Sequence, residues 1–142
     1  GYTPSVINII QFVTIASTGN AIDFGDTTVA RRSGGLGPSS NVVRGIFAGG
    51  YSPSVTNSME FITIATTGNG QDFGDLTGQT SAPATTASST RVVIAGGHRS
   101  PAMSNVIDIV AISTIGNATN FGDLTDGREQ VVGVSNGHGG LG

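Results

Sequence analysis

The sequence predicts an all-β chain on three observations: Gly at 23 of 142 residues, charge on only 11% of residues, and Ile/Val-rich runs broken by Gly, Ser, Thr and Asn. Gly is about twice its usual ~7% share. A solvated helical bundle needs more charge on its outer faces, and an apolar share of 37% is too high for a disordered tail. Many short strands joined by turns satisfy all three observations. The length suits one domain, residues 1–142, large enough to bury a core.

Self-similarity organises that domain. Asn8, Asn57 and Asn105 each open an apolar run, Gly19-Asn20, Gly68-Asn69 and Gly116-Asn117 close it, and Phe24-Gly25-Asp26, Phe73-Gly74-Asp75 and Phe121-Gly122-Asp123 follow. All three landmarks recur at offsets of 49 and then 48 residues, as do Pro4, Pro53 and Pro101, and Gln11, Glu60 and Asp108. Such a period marks a repeat architecture, with units at approximately 1–50, 51–97 and 98–142.

Within a unit the elements follow in order. The run from Asn57 to Ala65 alternates Met59, Phe61 and Ile64 with polar neighbours, as a half-buried strand does. Thr67-Gly68-Asn69-Gly70 is expected to be a hairpin turn, since Gly and Asn tolerate the positive φ of tight turns. The next strand carries Phe73 and Leu76, and the small, weakly apolar stretch Ser81 to Thr86 reads as an inner strand. A polar turn at Ala87 to Thr90 leads to a buried strand, Arg91 to Gly97, whose counterpart is Val43 to Gly50. The double Gly that ends both suits a crowded strand end.

Four antiparallel strands per unit of this length is the arithmetic of a β-propeller blade. A hydrophobic strand closed by Gly-Gly, then Tyr or His, then Asn-x-(Ile/Met/Val)-(Gln/Glu/Asp), then an aromatic last strand resembles the kelch repeat. The phrase Phe61 to Thr77, FITIATTGNGQDFGDLT, is similar to kelch-like repeats in structural proteins of tailed phages, particularly those infecting cyanobacteria. The last-strand Trp of cellular kelch repeats is replaced by Phe24, Phe73 and Phe121, which favours the phage type. The resemblance implies a kelch-like β-propeller and a virion or other extracellular location.

In that strand order the chain opens just after a Gly-Gly position, so the first blade is expected to supply only its two outer strands. Arg128 to Val134 is expected to form an inner strand, and His138-Gly139-Gly140-Leu141 to lie in a Gly-Gly strand. The incomplete ends are complementary and give three blades of chain. Propellers need about four to eight blades. The expected partner is therefore a second copy, in a homodimeric six-bladed ring, the alternative being a segment of a longer propeller.

The composition excludes several functions. Net charge is −3 and the densest basic cluster is Arg31-Arg32, which gives no nucleic-acid footprint. Apolar runs interrupted by Thr, Asn and Gly fall short of the ~18 residues of a membrane span. Absence of Cys removes thiolate nucleophiles, thiolate metal sites and the Cys-derived thioether of copper oxidases, while leaving the compartment open. No cofactor is expected. Asp23 to Asp26 and Asp72 to Asp75 spell Asp-Phe-Gly-Asp, but no Lys or phosphate-cradling loop accompanies them as in a kinase, and Asn120 replaces the first Asp in the third unit. These Asp side chains are expected to accept backbone N–H bonds in a turn, with the Phe packed between sheets. His98 and His138 have no acidic neighbour at metal-ligand spacing. No Gly-x-Ser-x-Gly elbow occurs. No catalytic residue is assigned.

Departures from a repeat are free to bind where repeated positions build the fold. The loops after Gly-Gly hold Tyr2, Tyr51 and the pair His98-Arg99. An aromatic face can pack on a sugar's C–H face while Arg bonds its hydroxyls, so these four are the candidate ligand-binding residues. The alternative is that the tyrosines pack between blades. Arg44 and Arg91 open the Gly-Gly strands and are expected to make structural bonds across blades. The expected function is a non-enzymatic binding or structural module, taking a host-surface glycan or another virion protein. A ligand-free assembly module and a polysaccharide-degrading enzyme are the alternatives.

Overall fold

A computed structural model describes residues 1–35, 37 and 39–135, and the described chain is all-β without a helix. Its strands are β1 (Ile9–Phe12), β2 (Ile22–Asp26), β3 (Arg44–Ala48), β4 (Ser58–Thr63), β5 (Gln71–Asp75), β6 (Ala84–Ala87), β7 (Arg91–Ala95), β8 (His98–Arg99), β9 (Ala102–Met103), β10 (Val106–Ala111) and β11 (Thr119–Asp123). They form antiparallel sheets ordered β1-β2, β3-β4-β5, β11-β10-β7-β6 and β8-β9, none of them closed. Among the described residues the full four-stranded set appears once. Beside β3 the inner position is held by separate bonds, Gly35 N–H to the Ala48 carbonyl and Ile46 N–H to the Ser39 carbonyl, both 2.9 Å.

The repeat is visible in the registers. Hairpins β1–β2, β4–β5 and β10–β11 each carry an irregularity just before the acid or amide position, between Ile10 and Gln11, Met59 and Glu60, and Ile107 and Asp108. The three- and four-stranded sheets share one buried cluster, built from Ile46, Met59, Phe61 and Phe73 on one and Val92, Ile94 and Val110 on the other. Phe61 meets Phe73 edge to face at 6.0 Å, and Phe12 meets Phe24 in the same way at 6.0 Å.

The structure corrects the expected turn. The chain reverses at Thr63 to Thr66, where Thr66 N–H donates to the Thr63 carbonyl at 3.2 Å. Gly68-Asn69-Gly70 instead reaches the last strand of the preceding unit. Gly68 N–H donates to the Phe24 carbonyl and Gly70 N–H to the Asp26 carbonyl, both 2.7 Å, while Asn69 Oδ1 accepts the Asp26 N–H at 3.0 Å. Gly116, Asn117 and Ala118 repeat this on Phe73 and Asp75 at 2.8, 3.0 and 2.8 Å. The side-chain bond at this joint thus belongs to the Asn, not to the Asp carboxylates of Asp-Phe-Gly-Asp as expected. Main-chain atoms must come close here, so Gly25 and Gly74 face the joint: a Cβ at either would overlap a Gly carbonyl oxygen.

Gly74→Ala is therefore expected to destabilise by about 1–3 kcal/mol, read as a lower urea midpoint. Gly122→Ala, at the equivalent position but with open space around it, is expected to cost less.

A second track runs between units. Ser33, Ala82 and Gln130 occupy equivalent positions with φ of 52°, 51° and 58°, and the N–H of Ala82 donates to the Ser33 carbonyl, that of Gln130 to the Ala82 carbonyl. This turn moves the inner strand from the expected Ser81–Thr86 to Ala84–Ala87. Among the described residues, 128–135 form no strand, contrary to expectation. His138 to Leu141 lie outside the described residues.

Candidate functional site

The loops after Gly-Gly stand on a repeated main-chain bond. The nitrogens of Gly1, Gly50 and Gly97 donate to the carbonyls of Arg31, Thr80 and Arg128 at 2.6, 2.8 and 2.8 Å. Burial first, and the Arg31 charge second, lower the pKa of the Gly1 amino group from its usual 8.0. One residue on, Tyr51 pairs antiparallel with Arg32 through bonds of 2.8 and 3.1 Å, and His98 pairs with Ser81 through bonds of 2.7 and 3.1 Å.

The candidate residues then diverge. Arg32 carries its guanidinium carbon 5.2 Å from the Tyr2 ring centroid and 4.9 Å from that of Tyr51. The result is a Tyr–Arg–Tyr stack bridging two successive units, with Tyr2 62% exposed and Tyr51 37%. His98 is half-buried in the short β8–β9 hairpin, which the sequence did not suggest. Arg99 points the other way: it donates to Asp108 at 2.8 Å and to the Thr77 hydroxyl at 3.1 Å. Tyr2 and Tyr51 are thus brought together through Arg32, while Arg99 serves the joint between units. Arg32 was missed as a site residue. The signal was its departure from the repeat, since its equivalents are Ser81 and Glu129.

A groove of about 740 Å³ opens beside β1, lined by Tyr2, Ile9, Gln11, Arg32, Ser39 and Ile46 among others. It lies within the size range of ligand sites. Its lining combines Tyr2, Arg31 and Arg32 with apolar strand residues such as Ile9, Ile10 and Ile46.

The acidic repeat positions look inward. Glu60 is ion-paired with Arg31 and accepts the Thr28 N–H at 2.6 Å; Asp108 takes the N–H and hydroxyl of Thr77 at 3.1 and 2.7 Å besides Arg99. Both acids are buried. Among the described residues no three His, Cys, Asp or Glu side chains gather as metal ligands would. Arg44 acts across units as expected, donating to the Ile112 carbonyl at 3.0 Å and lying 4.5 Å from the Phe61 ring centroid. Comparison with protein-family models finds no match, and neither does comparison with curated proteins.

Proposed function

We propose that the chain is a non-enzymatic binding module of kelch-like β-propeller type, belonging to a phage virion or a related extracellular particle. Its ligand is a host-surface glycan or a neighbouring virion protein, and two copies make a six-bladed ring. The observation that carries the binding reading is the exposed Tyr2–Arg32–Tyr51 stack, of which Tyr2 and Arg32 line the groove. Two aromatic faces held by a cation offer apolar surface for a sugar ring, with guanidinium N–H groups to bond its hydroxyls. The repeat and the phrase around Asp-Phe-Gly-Asp support the kelch-like reading.

The engagement of Arg99 by Asp108 favours a second reading, an assembly module without a ligand. A glycan array probed with the intact chain separates the two. Binding that falls about tenfold in Tyr2→Ala and Tyr51→Ala supports the stack as the site. Binding unaffected by both removes the stack from the site. No binding to any glycan leaves the assembly reading.

A further inference from the structure

We propose that a second copy of this chain docks head to tail, its β1–β2 unit covering the last strand, β11, by the same joint that connects the units within one chain. This rests on reading the chain as a repeat array completed by another copy, and it names the residues that do so.

The two internal joints define what a completed one looks like. Each unit supplies a Gly-Asn segment and an inward acid; the unit before it supplies the Phe-Gly-Asp strand and a Thr N–H, and in the first joint the Arg31 guanidinium, whereas in the second the guanidinium is that of Arg99, from the acid's own unit. Among the described residues each half is also found uncovered, one on β11 and the other on β1–β2. Phe121 is 61% exposed, where Phe24 is 7% and Phe73 is 0%. A Cβ at Gly122 would meet nothing, where one at Gly25 or Gly74 would strike the next unit. Arg128, the equivalent of Arg31, has a side chain 47% exposed and bonds within its own segment, to the Asp126 carbonyl at 3.4 Å and the Thr125 hydroxyl at 3.5 Å, with the exposed Asp126 carboxylate at 3.8 Å. At the other end Gln11 is exposed, although its equivalents Glu60 and Asp108 are buried.

The halves match group for group. Gly19 N–H faces the Phe121 carbonyl of the other copy, Asn20 Oδ1 accepts its Asp123 N–H, and Ala21 N–H donates to its Asp123 carbonyl. The Gln11 side-chain carbonyl accepts the Thr125 N–H and the Arg128 guanidinium. Ser33 N–H continues the inner track onto the Gln130 carbonyl. The β1–β2 register is the same as in the two hairpins that already make this contact, so Gln11 is aimed as Glu60 and Asp108 are. An amide at position 11 leaves Arg128 hydrogen-bonded without a buried counter-charge, so this joint is reversible where the internal ones are permanent.

The test is the mass of the intact 142-residue chain by native mass spectrometry and sedimentation equilibrium over a concentration series. Self-association is expected. Gln11→Arg sets a cation against Arg128 and is expected to weaken it about a hundredfold or more; adding Arg128→Glu is expected to restore it. Asn20→Ala, a smaller change on the same edge, is expected to weaken it less, and Val42→Ser, exposed and outside both edges, to leave it unchanged. Circular dichroism checks that each variant is folded, and Asn20→Ala carries the test if Gln11→Arg is not. A chain monomeric to about 1 mM, or association indifferent to both edge variants, overturns the proposal. Open ladders of higher oligomers that respond to the charge swap support the joint and overturn the six-bladed ring. A responsive dimer supports both.

Discussion

Glu60→Ala is expected to lower the free energy of unfolding by about 3–5 kcal/mol. Glu60 sits at the middle of β4 with its side chain only 2% exposed, and the Arg31 guanidinium it pairs with is 7% exposed. Removing the carboxylate leaves that cation buried against the carbonyls of Gly49 and Ser58 and the Ser58 hydroxyl. Its Nε already lacks a partner. The Thr28 N–H loses its acceptor as well. Against a typical domain stability of about 5–15 kcal/mol, this is a large fraction. Replacing both partners with apolar residues, Arg31→Met with Glu60→Leu, is expected to recover most of the loss, because desolvation of both charges is then avoided. Urea unfolding of the two variants beside the parent reads the effect. A loss below about 1 kcal/mol in Glu60→Ala would show that water reaches Arg31 and the pair is not buried as described.

Phe73→Ala is expected to cost about 3–5 kcal/mol, the usual range for a large aromatic removed from a closed core. Phe73 is fully buried, meets Phe61 edge to face, and belongs to the cluster shared by the two largest sheets. Phe121→Ala removes the same side chain from the same repeat position, yet in a dilute monomer it is expected to change stability by no more than about 0.5 kcal/mol. The two positions differ in what covers them. Thermal melts at low concentration give both values, and equal losses would mean that Phe121 is already covered within one chain.

The strands were legible where side-chain periodicity is strong. β4, β5 and β7 fall where the alternation of Met59 and Phe61, the Phe73 strand and the Arg91–Ala95 run place them. The first unit's two outer strands were also legible, from where the repeat begins. What a single sequence could not show is what a Gly is for. Gly68-Asn69 reads equally well as a turn or as a close approach, and only the neighbouring strand 43 residues away decides between them. The inner strands were weakest in the sequence, because Ser, Thr and Ala carry little periodic signal and the left-handed turns at Ser33, Ala82 and Gln130 occur at residues that rarely adopt them. Of the candidate site, Tyr2 and Tyr51 were found in the loops after Gly-Gly, while Arg32 was passed over beside Arg31. Two adjacent arginines on an extended segment face opposite ways, and here one enters the core while the other stacks between tyrosines.

The acid at the centre of each joint also gives it an address. The main-chain bonds and the one Asn side chain at the Gly-Asn segment are the same in both joints, so on their own they would let any unit settle on any other during folding. The charged pair breaks that equivalence. Glu60 meets Arg31 from the strand-side segment, whereas the shorter Asp108 meets Arg99, an extra residue in the loop after Gly-Gly, with Thr80 standing where Arg31 stood. A unit docked out of sequence would set an acid against the wrong length of side chain or bury a guanidinium without one. That penalty makes wrong assemblies less stable than the right one, and it lets a chain of near-identical parts reach a single order.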